Sequence, residues 1–354
     1  MRLFQILKLS VIYSLLCMTF SCNKGQEFYT LEDFEKVPKI DAHFHYATRD
    51  VRFVGFADSL NFRLLSPNVD TELPIDLQFE VASEIAAGFP QQFAFFGTFS
   101  VDSFGSQAFA RQTITRIKEC MNRGAKGIKI WKNIGMELQD SAGNWIMIDN
   151  PAFEPVFQYL RDNHIPVIGH LGEPKDCWLP FEEMTDQGDR YYYESHPQYH
   201  MYRFPEMPSY EDQINARNHI LEMYPDLDFI GAHLGSLEWN VDELAATLDS
   251  FPALKVDMAA RIGHLKNQSV IDRDRVRNFM IRYQDRIIYA TDMAVGYDTA
   301  VSFSQAAEWM KRAWLSDWIY LATDSVIGVQ GLQLPRETID RIYYKNAAYL
   351  FKSR

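Results

Sequence analysis

Short apolar runs alternate with amphipathic segments along most of this chain. Eight of the apolar runs have the length and the residue types of buried β-strands. Helical periodicity fills the intervals between them, so the pattern predicts parallel strands joined by helices. We place the strands at residues 39–43, 62–66, 93–99, 127–131, 166–170, 228–233, 254–258 and 286–291.

The helices are predicted from spacing and from end signals. Residues 107–123 carry apolar side chains at helical spacing and stop before Gly124, which is typical of a helix C-cap. Pro151 suits the first turn of a helix over 152–163. Ser209 is an N-cap residue followed by acidic residues, which favours another helix start.

Eight such units predict one α/β domain, a distorted (β/α)8 TIM barrel. The chain has 354 residues, of which 47% are hydrophobic, and this is enough for a barrel core. One connection is unusually long, with roughly forty residues between 170 and 210. Loops of that length are usually functional or disordered, and the density of Tyr, Trp and Pro here favours an ordered lid.

Polar residues end four of the eight strands. His43 and His45 close the first run two residues apart, and strand alternation sends both side chains to one side. His170, His233 and Asp292 end the fifth, sixth and eighth runs. A single His in such a place is more often structural, but all strand C-termini of a barrel meet on one face. We therefore predict a metal site at that face.

Charge narrows the class of partner. The formal net charge is −12, and no basic stripe offsets it. This excludes a typical nucleic-acid-binding protein and leaves a small-molecule substrate as the expected partner. A homodimer is compatible with the sequence.

The N-terminus has the features of an export signal. Arg2 and Lys8 flank a short apolar stretch over 9–20, and Ser21-Cys22 follows it. The junction resembles a bacterial lipoprotein signal, in which Cys22 becomes the lipidated first residue. An ordinary secretory signal or a retained anchor helix is the alternative. We thus expect a signal peptide at 1–21, a polar tether at 22–36 and one barrel domain at 37–354, anchored by lipid at Cys22 in the periplasm or on the cell surface.

The strand-end residues lie in longer segments that match known motifs. These are Ile40-Asp-Ala-His-Phe-His, Gly127-Ile-Lys-Ile, Val167-Ile-Gly-His-Leu-Gly-Glu-Pro, Gly231-Ala-His-Leu-Gly and Arg286-Ile-Ile-Tyr-Ala-Thr-Asp. The ending, Ile342-Tyr-Tyr-Lys-Asn-Ala-Ala-Tyr-Leu-Phe, matches a terminal helix. Together they resemble the amidohydrolase superfamily over residues 37–352, in the amidohydrolase 2 branch related to aminocarboxymuconate-semialdehyde decarboxylase.

The resemblance implies one divalent metal ion bound by His43, His45, His170 and Asp292. His233 is then either a further ligand or an acid that acts beside the metal. Three imidazoles and a carboxylate suit Zn²⁺, with Mn²⁺, Fe²⁺ and Co²⁺ as alternatives.

Lys129, on the fourth strand, leaves two interpretations open. Other branches of the superfamily use a carbamylated Lys on this strand to bridge two metal ions, which makes a two-metal site the alternative to a single ion. The other interpretation is a substrate-binding Lys or a buried, paired one.

The expected activity is hydrolysis of an amide, lactone or ester bond by metal-activated water. A metal ion lowers the pKa of bound water to about 7, and Asp292 is placed to take its proton while His233 assists the substrate. Non-oxidative decarboxylation uses the same residues and is the main alternative, and a catalytically silent surface binding protein is the third. The candidates for substrate contact are Lys129, Trp131, Glu173, His196 and Arg261, for which a salt bridge to a nearby acid is an equal alternative.

Overall fold

Eight parallel strands form the centre of the protein, as the hydrophobic pattern predicts. The computed structural model describes residues 27–71, 73–297 and 300–352. The strands are β1 Lys39–Asp41, β2 Phe62–Pro67, β3 Phe93–Phe96, β4 Ile128–Ile130, β5 Val167–Gly169, β6 Phe229–Gly231, β7 Lys255–Asp257 and β8 Ile287–Ile288. Most are shorter than predicted, and His43, His170 and His233 lie just beyond the last residue of their strands.

The strands follow one another in chain order around the barrel. β1 to β3 form one parallel sheet and β4 to β8 form another. A single bridge between Gly97 and Ile128 joins the two sheets. On the other side, backbone N–H groups of Ala42 and Asp292 donate to the carbonyl groups of Tyr289 and His43, at 3.1 and 2.8 Å. The barrel is therefore distorted at both junctions, where an isolated bridge and a short parallel pairing of residues 45–46 with 294–295 replace a continuous ladder.

The barrel interior is filled by side chains from alternate strand positions. A buried apolar cluster contains Ile40, Leu65, Ala94, Phe96, Ile168, Ile230 and Ile288. The same cluster includes Ala347, Leu350 and Phe351 from the C-terminal segment, so that this end of the barrel is closed by protein. The opposite, C-terminal face of the strands is left for polar residues.

Helices cover the outside of the strands. The predicted helix over 107–123 lies at Phe109–Asn122, and that over 152–163 is a 3-10 turn at Pro151–Phe153 followed by Glu154–Asp162. Ser209 forms the expected cap, since its hydroxyl accepts the backbone N–H of Asp212. The other α-helices longer than four residues in the described ranges are Arg52–Ser59, Ile75–Gly88, Gln187–Ser195, Tyr210–Met223, Val241–Ser250, Ile262–Arg282, Phe303–Ala322 and Arg336–Asp340, and a π-helix follows at Arg341–Lys345.

The long connection after β5, here called the fifth loop (residues 171–209), is ordered. It contains the helix Gln187–Ser195 and its own small apolar cluster of Cys177, Met184, Tyr193 and Met201. Its Asp189 accepts a hydrogen bond from His264 at 3.0 Å, which ties it to the helix after β7. The fifth loop is thus held against the barrel mouth.

The first described residues also contact the barrel. Phe34 is buried, and the Tyr29 hydroxyl donates to Asp340 at 2.8 Å. Residues 27–36 of the predicted tether therefore pack on the domain, while the predicted signal and Cys22 lie outside the described residues. Within the described ranges, every helix is either too short or too polar to cross a bilayer.

Candidate metal centre

Three of the predicted ligands converge at the C-terminal face of the barrel. His43 Nε2 lies 3.4 Å from Asp292 Oδ1, and His45 Nε2 lies 3.3 Å from the same oxygen. Asp292 Oδ1 is buried and makes no hydrogen bond. An unsatisfied buried carboxylate oxygen is costly unless a cation or a donor completes it.

The distances between these donor atoms fit a divalent metal ion. Ligand atoms bound at about 2.0–2.1 Å in a tetrahedral site lie about 3.3–3.4 Å from one another. The observed separations from Asp292 Oδ1 are 3.4 Å to His43 and 3.3 Å to His45. His43, His45 and Asp292 can therefore bind one ion without rearrangement of these contacts.

Asp257, at the end of β7, orients the first of these ligands. His43 Nδ1 donates to Asp257 Oδ2 at 2.9 Å, and Asp257 is 1% exposed. A donor at Nδ1 leaves the lone pair of His43 on Nε2, the atom that faces Asp292. The sequence analysis missed Asp257, although an acid inside the apolar run over 254–258 was the available signal.

His170 and His233 form a second pair beside the first ligands. His233 Nδ1 lies 2.9 Å from the carbonyl oxygen of Ala259, so it must donate, and Nε2 accepts from His170 Nδ1 at 3.2 Å. This leaves the lone pair of His170 on Nε2, which is buried and has no hydrogen-bond partner. The His43 and His233 ring centres are 5.1 Å apart. His170 is thus linked to the centre by its hydrogen bond to His233, and it lies outside the group formed by His43, His45 and Asp292.

Burial keeps both rings of this pair neutral. It lowers the pKa of His233 to about 3 and that of His170 well below its usual value, and nearby cations add to the effect. Burial alone raises the pKa of the Asp292 carboxyl, but the His233 and His43 imidazoles hold it well below its usual range. The centre therefore combines an ionised carboxylate with neutral imidazoles, as metal binding requires.

A left-handed turn places His233. Residues 233–236 all have φ between 56° and 63°, which costs roughly 1–2 kcal/mol for each non-glycine residue. The turn is held by His233 N–H, which donates to Asp257 Oδ1 at 2.8 Å, and by hydrogen bonds from Arg217 and Tyr210 to its carbonyl groups. Strained backbone of this kind persists where the surroundings fix it, often at functional sites.

Asp41 joins the two strands that carry the other ligands. Its carboxylate accepts the Thr291 hydroxyl at 2.6 Å and the Trp314 indole N–H at 2.9 Å. The contact to Thr291 links the end of β1, before His43, to the residue next to Asp292. It therefore fixes the two ligand segments relative to each other.

Lysines surround the same centre. Lys129 Nζ lies 3.2 Å from His43 Nε2, and burial lowers the pKa of Lys129 to about 8. Lys132 forms an ion pair with Glu173 of the fifth loop. Lys129 and Glu173, which were both predicted to contact substrate, are thus at or beside the metal-facing atoms.

The remaining predicted contact residues divide into two groups. Trp131 packs edge-on against His170 with ring centres 4.9 Å apart, and Arg261 lies just beyond β7 at the barrel mouth. His196 instead stacks on Tyr192 within the fifth loop, and its Nδ1 bonds the Tyr192 carbonyl group. Among the described residues, His196 has its contacts within the fifth loop and none with the metal centre.

Comparisons with known proteins identify the family and the fold of this chain. The amidohydrolase family matches residues 40–352. A search of curated protein sequences gives no match. An uncharacterised TIM-barrel protein from Bordetella bronchiseptica is 13% identical with a TM-score of 0.52, over 89% of this chain and 98% of that one.

Two further solved structures have the same fold. An amidohydrolase II is 16% identical with a TM-score of 0.51, over 89% of this chain and 100% of its own. A 2,6-dihydroxybenzoate decarboxylase bound to 2,6-dihydroxybenzoate is 15% identical with a TM-score of 0.50, over 90% of this chain and 100% of its own. Identities this low establish the fold alone.

The family match covers most of the chain, and the motifs that carry it supply His43, His45 and Asp292 at the centre. This confirms the resemblance seen in the sequence and the divalent-metal class of cofactor. The chain therefore belongs to the amidohydrolase family and is an enzyme of the hydrolase or lyase type.

Proposed function

We propose that this chain hydrolyses an amide, lactone or ester bond in a small molecule with one divalent metal ion. The observation that carries the proposal is the convergence of His43 Nε2, His45 Nε2 and Asp292 Oδ1 at the barrel mouth. A divalent ion held there polarises a carbonyl group and lowers the pKa of water to about 7. We propose Zn²⁺, because nitrogen and oxygen donors at tetrahedral spacing suit it, and Mn²⁺, Fe²⁺ and Co²⁺ share these donors.

Asp292 supplies the proton acceptor in this proposal. Its carboxyl is ionised at neutral pH and lies beside two ligand nitrogens, so it is both close to the reacting water and able to take a proton. The backbone N–H of Asp292 donates to the His43 carbonyl group, which fixes the carboxylate relative to that ligand. A positioned acceptor of this kind is worth about 10²–10⁴-fold in rate.

His233 supplies a second proton site. Its Nδ1–H is committed to the Ala259 carbonyl group and its Nε2 accepts from His170 Nδ1, so that Nε2 can exchange a proton with substrate when the bond to His170 opens. The tight turn and Asp257 hold its backbone, which keeps the ring beside His43. We propose that the proton that Asp292 takes from water would be passed through His233 Nε2 to the leaving group, and that His170 would complete the ligand set through its unpartnered Nε2.

Non-oxidative decarboxylation is the second candidate. The cation Lys129 beside the centre favours an acidic substrate, and one protein of the same fold is a decarboxylase of a hydroxybenzoate. In that reaction Asp292 and His233 manage proton transfer at carbon instead of at water. The two reactions share every residue described above.

The products distinguish the two reactions. Metal content is measured first, and the loaded enzyme is then offered lactones, N-acyl compounds and aromatic carboxylates. Ring opening or deacylation supports hydrolysis, whereas release of CO₂ from an aromatic carboxylate supports decarboxylation. A protein without stoichiometric metal that turns over none of these classes contradicts both proposals and favours a silent binding protein.

Asp292→Asn tests the assigned acceptor. The amide keeps the shape of the side chain but cannot accept the proton, so turnover should fall by about 10²–10⁴-fold while part of the metal remains. Asp317→Asn is the control, since Asp317 is half-buried and bonds the Tyr289 hydroxyl away from the ligands. Near-normal turnover in Asp292→Asn would exclude Asp292 as the acceptor.

A further inference from the structure

Arg261 is a buried cation without a counter-ion among the described residues. It is 7% exposed, and its Nε is buried with no hydrogen-bond partner. Among the described residues, its hydrogen bond is from a terminal nitrogen to the Ala260 carbonyl group, at 3.1 Å. The salt bridge that the sequence allowed for this residue does not form in the part of the chain that the structure describes. A buried, unpaired guanidinium is costly, so its place needs another explanation.

The backbone places Arg261 beside the reacting groups. The carbonyl group of Ala259, two residues earlier, accepts the hydrogen bond from His233 Nδ1. The N–H of Ala260 donates to the Thr291 carbonyl group at 3.1 Å, next to Asp292. Arg261 therefore starts from a segment that is fixed both to His233 and to the strand that carries Asp292.

The segment that carries Arg261 is also fixed to the fifth loop. Arg261 directly precedes the helix Ile262–Arg282, and His264 of this helix donates to Asp189 of the fifth loop at 3.0 Å. Arg261 therefore lies on a segment that is tied both to the metal centre and to the loop that covers it.

The balance of charges in the site favours binding of an anion. Lys132 is neutralised by Glu173, and Lys129 lies against the metal-facing nitrogen of His43. Asp257 and Asp292 are engaged with the imidazoles. Once a divalent cation joins these groups the site is strongly positive, and Arg261 has no acidic partner within the described part of the chain.

We propose that Arg261 binds a carboxylate of the substrate at a position separate from the reacting bond. The planar guanidinium can hold a carboxylate through two parallel hydrogen bonds, which a Lys cannot do. The substrate class is then a small molecule that carries a free carboxylate in addition to the bond to be broken. The assignment of a substrate rests on the proposed function, but anion binding by Arg261 does not need turnover.

Acetate and its neutral isostere acetamide provide the test. Thermal unfolding of the wild-type protein and of Arg261→Met is followed at increasing acetate, with acetamide and with sodium chloride at equal ionic strength as controls. Acetate should stabilise the wild type more than either control, and Arg261→Met should lose about 10–100-fold in acetate affinity. The double variant His43→Ala/His45→Ala removes acetate binding to a metal, and its response to acetate should persist.

Arg217 is the matched control for folding. It is buried like Arg261, at 1% exposed, but its guanidinium donates to the Gly235 carbonyl group and to Asn218. Without acetate, Arg217→Met should unfold at a lower temperature, whereas Arg261→Met should be unchanged or more stable because it removes an unpaired buried charge.

Three results would overturn the proposal. They are a loss of stability in Arg261→Met equal to that in Arg217→Met, an unchanged acetate response in Arg261→Met, and a wild type that acetate stabilises no more than acetamide does. Metal content of the same preparations separates this failure from that of the proposed function, since a metal-loaded, active enzyme without anion binding contradicts the role of Arg261 alone.

Discussion

Replacing Asp257 by Asn tests whether the buried carboxylate sets the tautomer of a metal ligand. His43 Nδ1 donates to Asp257 Oδ2 at 2.9 Å, and the backbone N–H groups of His233 and Ala259 donate to Oδ1 at 2.8 and 3.1 Å. Asn can keep Oδ1 as the acceptor for the two backbone groups, so the turn at His233 should survive. The amide nitrogen would then face His43 Nδ1 and favour the tautomer whose proton is on Nε2, the metal-facing atom.

The expected loss of metal affinity follows from the role of a carboxylate that orients a ligand imidazole. Burial alone raises the pKa of Asp257, but the charge and hydrogen bond of His43 lower it to about 2, so the carboxylate is ionised at neutral pH. Loss of a carboxylate that orients a ligand imidazole typically costs 10–100-fold in metal affinity, or about 1.4–2.8 kcal/mol. We expect a weakening of this size in Asp257→Asn with little change in secondary structure.

The assay is competition for Zn²⁺ with a chromophoric chelator at neutral pH, alongside circular dichroism. Asp317→Asn is the control, because Asp317 accepts the Tyr289 hydroxyl at 2.9 Å and lies outside the described groups of possible metal ligands. Unchanged affinity in Asp257→Asn, or an equal loss in Asp317→Asn, would refute the tautomer argument.

Three further predictions concern other parts of the chain. The double variant His43→Ala/His45→Ala should bind no stoichiometric metal by elemental analysis, and full retention would contradict the centre. Burial lowers the pKa of His264, but the hydrogen bond to Asp189 and nearby carboxylates raise it above 6.5 overall. The His264–Asp189 pair should therefore stabilise the wild type fully below pH 6.5 and progressively less as the pH rises through the raised pKa. Urea unfolding between about pH 6 and 8 should show this loss in the wild type and not in His264→Gln. Cys22→Ser should release the protein from washed membranes, and a wild type found wholly in the soluble fraction would contradict the lipid anchor.

Much of the fold was determined by local sequence pattern. The eight strands and the helices from Phe109 and Glu154 were predictable because burial imposes a period of two or 3.6 on neighbouring residues. The ends of those strands also marked His43, His45 and Asp292, since parallel strands bring their C-terminal ends to one face. These inferences need no knowledge of which distant residues touch.

Other features were decided only by the tertiary structure. The sequence could not show that His43 donates to Asp257, because the two residues are 214 positions apart. It could not separate a salt bridge at Arg261 from a free guanidinium, or show that His170 meets the centre through His233. The left-handed turn at 233–236 was likewise invisible, since three of its four residues are not glycine and only contacts from Asp257, Arg217 and Tyr210 hold it. Local periodicity reports which face of an element is buried, whereas the protonation, pairing and strain of a site depend on contacts between strands that the folded barrel alone brings together.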